Sequence, residues 1–260
     1  MSEQRFENRV AIITGGGTGI GKATAALLLA EGARVVINGR REAVLRETAR
    51  ELDPDGRRVR WVAGSVADEQ VARELASTAV TEFGGLDLVV NNAGVFKPTP
   101  FLDHRVEDFD RYSDIILKGT FLVSQAAIRE MTKTGGGSIV NVGSMWAEQA
   151  IGATPSSAYS AAKAGVHALT RNLAIEFADK GIRVNAVAPA VVETPVYETF
   201  MSPEQVREVL PTFHGFHPLG RNGRPDDVAK AILYLAGLEA DWVTGTVLAV
   251  DGGVTAGRQA

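Results

Sequence analysis

Short aliphatic runs recur along this chain, and the stretches between them are long enough for one helix each. Val10-Ala-Ile-Ile-Thr14 and Arg34-Val-Val-Ile-Asn38 come first, followed by runs at 58–63, 86–91, 138–142, 182–188 and 246–250. They are rich in β-branched residues with little polar alternation, the pattern of strands buried on both faces of a parallel sheet. The segments between them read as helices: 20–31, 42–52, 68–83, a long one over 106–134, and one through Tyr159 and Lys163 between the fifth and sixth strands. Gly32 closes the first helix and Gly135-Gly-Gly137 the fourth, since glycine accepts the left-handed backbone of a helix end. Strands and helices in alternation make right-handed βαβ units. The expected fold is α/β, a doubly wound (Rossmann) mainly parallel seven-stranded sheet with helices on both faces. Residues 190–222 break the alternation with prolines and aromatics, and compact domains use such excursions as lids or binding loops. One domain over 1–260, carrying that lid, is the expected organisation.

Composition narrows the class. A chain of 260 residues with 45% apolar and 22% charged residues can bury a substantial core. The net charge of -4, with scattered basic residues, gives no electrostatic case for nucleic acid or an anionic membrane as partner. The absence of cysteine excludes disulfides and thiol nucleophiles. The polar amino end does not read as a secretory signal, and no apolar run approaches the roughly 20 residues that cross a bilayer. A soluble, cytoplasmic protein is expected.

Candidate chemistry begins at the first strand-to-helix turn, Thr14-Gly-Gly-Gly-Thr-Gly-Ile-Gly21. Glycines there let backbone N–H groups approach a pyrophosphate resting on the positive end of the helix. The spacing departs from G-x-G-x-x-G; Gly15, Gly19 and Gly21, with Thr18 and Ile20 between them, are the positions of interest. The second strand ends Asn38-Gly-Arg-Arg41, without the acid that commonly holds the ribose hydroxyls of NAD. Gly39 leaves room and Arg40 offers a planar charge to a 2′-phosphate, so NADP(H) is favoured and NAD(H) is the alternative. A solvated arginine pair, with Arg41 capping the next helix, is the plainer reading. Tyr159 and Lys163, four apart on a helix, look out from one face. A neighbouring ammonium is expected to lower the phenol's pKa toward working pH and suit it to proton transfer. Taken alone, that short pattern equally describes a packed tyrosine and a solvated lysine.

In order along the chain stand the glycine loop at 14–21, Asn91-Asn-Ala-Gly94, Ser144, Tyr159 with Lys163, and Asp251-Gly-Gly253. This ordered set resembles the short-chain dehydrogenase/reductase family over essentially the whole chain. The resemblance implies hydride transfer between a nicotinamide and a carbonyl or secondary alcohol. It implies Tyr159 as general acid/base, Lys163 lowering its pKa and binding the nicotinamide ribose, and Ser144 holding the substrate oxygen. It assigns cofactor contacts to Gly15, Thr18, Gly19, Ile20, Gly21, Arg40, Asn92, Ala93, Gly94, Tyr159, Lys163, Pro189 and Thr194. Asn92 would bind the cofactor or brace the strand; outside the resemblance, Ser144 is a loop serine or a cap, Asn92 a turn asparagine beside Gly94, and Thr194 the cap of a short lid helix. A homotetramer or homodimer is implied as well.

Four departures stand out. In Asp114-Ile-Ile-Leu-Lys-Gly-Thr-Phe121, Ile116 occupies the position of the family's asparagine, thought to anchor a water linking the lysine to solvent. Isoleucine has only its backbone carbonyl for that purpose. Ser65 stands where an adenine-contacting Asp is usual, and Ala190 where glycine follows the proline. The segment from Ser144 to Tyr159 is slightly long. Phe96, Trp146, Tyr197, Phe200, Met201, Phe213 and Phe216 fall in loops expected on the nicotinamide side. They suggest a pocket for an apolar or ring-bearing carbonyl compound, or a lid packed on the body or on a neighbouring subunit. His104, His167, His214 and His217 have no partners at ligand spacing, so they read as surface or packing residues and no catalytic metal is expected. Two other readings stand beside the reductase: an NAD-dependent alcohol dehydrogenase, and a nucleotide-binding regulatory protein with catalysis impaired at Ile116.

Overall fold

A computed structural model describes residues 4–257. Seven strands form one sheet in the order β3-β2-β1-β4-β5-β6-β7. They are β1 (Val10–Thr14), β2 (Arg34–Gly39), β3 (Val59–Ala63), β4 (Leu88–Asn91), β5 (Gly137–Val142), β6 (Ile182–Pro189) and β7 (Val247–Val250). Every pairing is parallel. The strand order reverses between β1 and β4, and open α/β sheets place their ligands in the crevice at that switch.

The strands are apolar throughout because each faces two cores. In β1, Ala11 and Ile13 join the core beneath α1 (Gly19–Ala30) and α8 (Pro225–Ala236). Val10 and Ile12 join the opposite core, beneath α3 (Glu69–Phe83) and α5 (Gly119–Thr134). At about 0.8 kcal/mol per buried CH₂, this two-sided burial is the main stabilising term of the fold. α2 (Glu42–Leu52) crosses from β2 to β3, and α6 (Ser157–Glu176) from β5 to β6.

The long helix expected over 106–134 is real but irregular. It comprises α4 (Val106–Tyr112), a π-helical segment Ser113–Lys118, and α5. The widened turn lies under α6, where Gly165 brings the helix backbone close to Leu117. α8 was not among the elements expected. Segment 190–222 carries its own short helices: Pro195–Thr199, α7 (Pro203–Val209) and Leu210–Phe216. It is pinned by Asn222, whose amide donates to the Leu210 carbonyl at 2.8 Å, and by a bridge from Val192 to Gly223. Among the described residues no helix is long and apolar enough to cross a membrane.

Candidate active site

The carboxyl ends of β1, β2 and β4 open on a cavity of about 280 Å³. The glycine loop, Gly39, Arg40, Arg41, Ser65 and Gly94 line it. Gly15 turns with φ of +63° and lies so close to β4 that a Cβ there would sit 2.8 Å from Nδ2 of Asn92. A Cβ on Gly21 would run into the Gly15 carbonyl. The loop is therefore built on backbone contact, which leaves its N–H groups at the mouth of α1 for an anion. Arg40 and Arg41 are exposed on the same rim, and no ion pair engages either among the described residues. Arg41 precedes α2 without a side-chain capping bond. The cavity's backbone donors and two unpaired guanidinium groups fit the phosphates of a dinucleotide.

Asn92 takes the bracing role. Its amide donates to the carbonyls of Thr14 and Gly15 at 3.0 and 3.2 Å, and the N–H groups of Asn92 and Ala93 donate to the Thr14 hydroxyl. Thr194 lies against the same loop, 3.2 Å from where a Gly19 Cβ would be, and makes no capping bond to Pro195–Thr199. Pro189, at the end of β6, pairs in register with Val250.

Ser144 follows β5, and its hydroxyl accepts from the Trp146 N–H at 3.2 Å, so it caps the turn Met145–Ala147. Tyr159 and Lys163 come from α6. The lysine is buried; its ammonium donates to the Val142 carbonyl at 2.5 Å and stands 5.8 Å from the centre of the Tyr159 ring. It also lies 4.0 Å from where a Gly94 Cβ would be, at the edge of the glycine-loop cavity.

The expected depression of the phenol is absent. Burial pushes the Tyr159 phenol up to about 12, a hydrogen bond with Ser144 pulls it down, and Tyr112 adds to the rise. Burial also brings Lys163 down to about 8. Desolvation, not the charge pairing inferred from the one-turn spacing, sets both values.

That wall gathers most of the aromatics singled out in the sequence. The Phe96 ring lies 5.0 Å from Tyr159, 6.0 Å from Phe200, 6.3 Å from Trp146 and 6.5 Å from Tyr197. Phe213 and Phe216 pack on the same cluster, with Met145, Val191, Leu210 and Val254 behind them. Met201 is not part of it.

Two findings lay outside the sequence reading. Ile116 is buried against Tyr112, Ala158, Ala162 and Val166, and its carbonyl accepts from the Thr120 hydroxyl at 2.7 Å. The backbone acceptor considered for a relay water is thus engaged by a neighbour. His167, two turns beyond Tyr159 on α6, is buried beneath Ser144. Its Nε2 accepts from the Ser144 N–H at 3.4 Å, and its Nδ1 faces the Glu148 carboxylate at 3.5 Å. Gly143 has no side chain because a Cβ would strike that imidazole. The spacing Tyr159, Lys163, His167 was the available signal, since steps of four share a helix face.

A family model described as Enoyl-(Acyl carrier protein) reductase matches residues 15–255. The chain is 44% identical over 254 residues to cis-4-hydroxycyclohexanecarboxylate dehydrogenase of Sinomonas cyclohexanicum, covering 97% of this chain and 99% of that one. It is 39% identical to the 3-oxoacyl-[acyl-carrier-protein] reductase FabG of Thermotoga maritima, over 96% of this chain and 99% of the relative. The crystal structure of levodione reductase superposes with a TM-score of 0.90 at 35% identity, covering 98% of this chain and 100% of that one. Likeness that runs from end to end in sequence and fold shows that the chain belongs to the short-chain dehydrogenase/reductase family and is an enzyme acting on CH–OH and C=O groups.

Proposed function

We propose that this chain is an NADP(H)-dependent oxidoreductase of ring ketones and the corresponding secondary alcohols, with Ser144, Tyr159 and Lys163 as catalytic residues. The observation that carries the proposal is the meeting of two surfaces at Tyr159. Its ring borders the aromatic wall, and Lys163 beside it borders the glycine-loop cavity. A bound nicotinamide supplies the hydride. The Ser144 hydroxyl holds the substrate oxygen, and the Tyr159 phenol delivers the proton to it. With its pKa near 12 the phenol is protonated at neutral pH, the state that carbonyl reduction requires. The Lys163 ammonium then favours the phenolate left behind. Gly15, Thr18, Gly19, Ile20, Gly21, Ala93, Gly94, Pro189 and Thr194 hold the cofactor in this reading, and Asn92 holds the loop.

Support for the phosphorylated cofactor comes from Arg40, Gly39 and the lack of a carboxylate at the end of β2. Support for ring substrates comes from the aromatic wall and from the names of two relatives, a hydroxycyclohexanecarboxylate dehydrogenase and a levodione reductase. The enzyme is a single cytoplasmic domain whose 190–222 segment covers the substrate side. It assembles with copies of itself. Large apolar side chains are exposed in two stretches of chain, Phe101, Leu102, Val106, Phe109 and Phe121 in one and Tyr234, Leu238 and Trp242, the last 97% exposed, in the other. Two separate apolar surfaces suit a tetramer, which light scattering in solution checks.

A spectrophotometric screen of ring ketones and alcohols with NADPH and NADH tests the activity. Wild-type protein oxidises NADPH with ring ketones, and Tyr159→Phe slows this by about 10²–10⁴-fold while still binding NADPH. A clear NADH preference supports the NAD-dependent alternative. Tight NADPH binding with no turnover across the panel supports the regulatory reading, which the engaged Ile116 carbonyl favours.

A further inference from the structure

The aromatic wall contains a polar donor without a partner. Trp146 is 8% exposed, and its indole N–H makes no hydrogen bond. An indole nitrogen only donates, so no change of rotamer or protonation state relieves it, and buried tryptophans ordinarily find an acceptor. Among the described residues no acceptor lies within hydrogen-bond distance of it. The ring packs against Phe96 and Phe216, each 6.3 Å away, in a cluster that holds Met145, Val191, Leu210 and Val254 together with the rings of Tyr159 and Tyr197. The Tyr112 hydroxyl is occupied by the backbone of Lys97, to which it both donates and accepts. The other buried unpartnered side-chain atoms among the described residues belong to Asn91, His104, His217 and Asn222; of these, His217 packs on the far side of the wall with its ring 5.1 Å from Phe216.

The position of the indole is tied to the candidate chemistry. The Trp146 main-chain N–H donates to the hydroxyl of Ser144, and the two residues share one tight turn. Phe96 touches both the indole and Tyr159. A ring held with its oxygen at Ser144 and Tyr159 borders this wall through Phe96, which packs on both Tyr159 and Trp146.

We propose that the Trp146 indole N–H is a recognition donor for a second oxygen on the substrate. The preferred substrates are then alicyclic ketones or alcohols bearing a further hydrogen-bond acceptor, either a carbonyl or a carboxylate oxygen. This inference rests on the reading of Ser144 and Tyr159 as the carbonyl site. The physical basis is discrimination by an unpaired group: a ring without the second acceptor leaves the indole N–H buried and unpaired, and a ring with it restores the bond.

Two measurements test it. Reduction of cyclohexane-1,4-dione, 4-oxocyclohexanecarboxylate and 4-methylcyclohexanone is followed in wild type and in Trp146→Phe. For at least one of the two acceptor-bearing ketones, wild type shows a kcat/KM at least about tenfold above the methyl compound, equivalent to about 1.4 kcal/mol. Whether dione or carboxylate is favoured identifies the acceptor. In Trp146→Phe that ratio collapses toward one. An equal ratio in the two proteins overturns the proposal.

The second measurement uses unaltered protein and does not depend on the variant folding. The chain has three tryptophans, Trp61, Trp146 and Trp242. With ¹⁵N-labelled indoles and oxidised cofactor present, the Trp146 N–H resonance moves downfield on addition of an acceptor-bearing ketone and not on addition of 4-methylcyclohexanone. A resonance that stays in place while such a ketone binds overturns the proposal. Absence of any ketone turnover overturns the carbonyl reading instead, and the titration still decides the donor.

Discussion

Replacing His167 probes the support beneath Ser144. Burial, with Lys163 and Arg171 nearby, brings this imidazole from 6.5 down to about 4. Between those two pH values the unfolded chain binds a proton that the folded chain refuses, so stability rises with pH across the window and is lost on acidification. At 1.36 kcal/mol per pH unit, the gap from 6.5 to about 4 corresponds to ~3 kcal/mol. This is an upper value, because the facing Glu148 carboxylate is 46% exposed and brings solvent to one ring nitrogen. His167→Gln removes the titration while keeping a side-chain acceptor. Urea unfolding of both proteins at pH 7.5, 6.5, 5.5 and 4.5 isolates the term, since carboxylate contributions cancel in the difference. Wild type should lose up to ~2 kcal/mol more than the variant between pH 6.5 and 4.5, the part of the window those two values span. Parallel curves would refute the buried neutral imidazole. At pH 7.5, His167→Leu leaves the Ser144 N–H without its acceptor, a penalty of ~1–3 kcal/mol, and lowers kcat about tenfold or more while cofactor affinity holds.

Three further outcomes follow from the geometry. Gly21→Ala drives a methyl against the Gly15 carbonyl; calorimetry should show a loss of ~1–3 kcal/mol and titration a weaker cofactor affinity, and wild-type values for both would contradict the loop packing. Ile116→Asn, which restores the family's usual residue, buries an amide among Tyr112, Ala158, Ala162 and Val166; it should cost ~2–4 kcal/mol without raising turnover, and a faster enzyme of undiminished stability would show that the relay, not the packing, matters here. Arg40→Ala should lower kcat/KM with NADPH about tenfold to a hundredfold, as expected for loss of a charge-assisted bond, and leave NADH kinetics unchanged. Equal losses with both cofactors would remove Arg40 from phosphate recognition.

The strands were legible from the sequence alone because a strand buried on both faces needs an unbroken apolar run, whatever its neighbours are. The glycine loop was legible for a similar reason: a chain that passes this close to another backbone has no room for side chains. α8 left readable signs that the strand-helix alternation passed over, namely Pro225 in its first turn and Asp227 accepting from the Arg224 backbone. The π-helical segment left none, because an α-turn and a π-turn differ by one hydrogen-bond step, and packing against α6 decides between them.

Residue identity also set which groups could do chemistry, and helix periodicity placed Tyr159, Lys163 and His167 on one face. What periodicity could not supply was their environment. Spacing along α6 predicted an acidified phenol, whereas the folded chain raises it, since α6 packs the phenol against Phe96 and Tyr112 and buries the ammonium beside it. The partnership of His167 with Ser144 and the unpaired indole of Trp146 depend on chain segments that meet only after folding. Sequence therefore determined the sheet, the phosphate turn and the roster of reactive groups, all products of local pattern. Tertiary structure alone decided their protonation, their supports and their unmet hydrogen bonds, because desolvation and polar pairing depend on what surrounds a group in space.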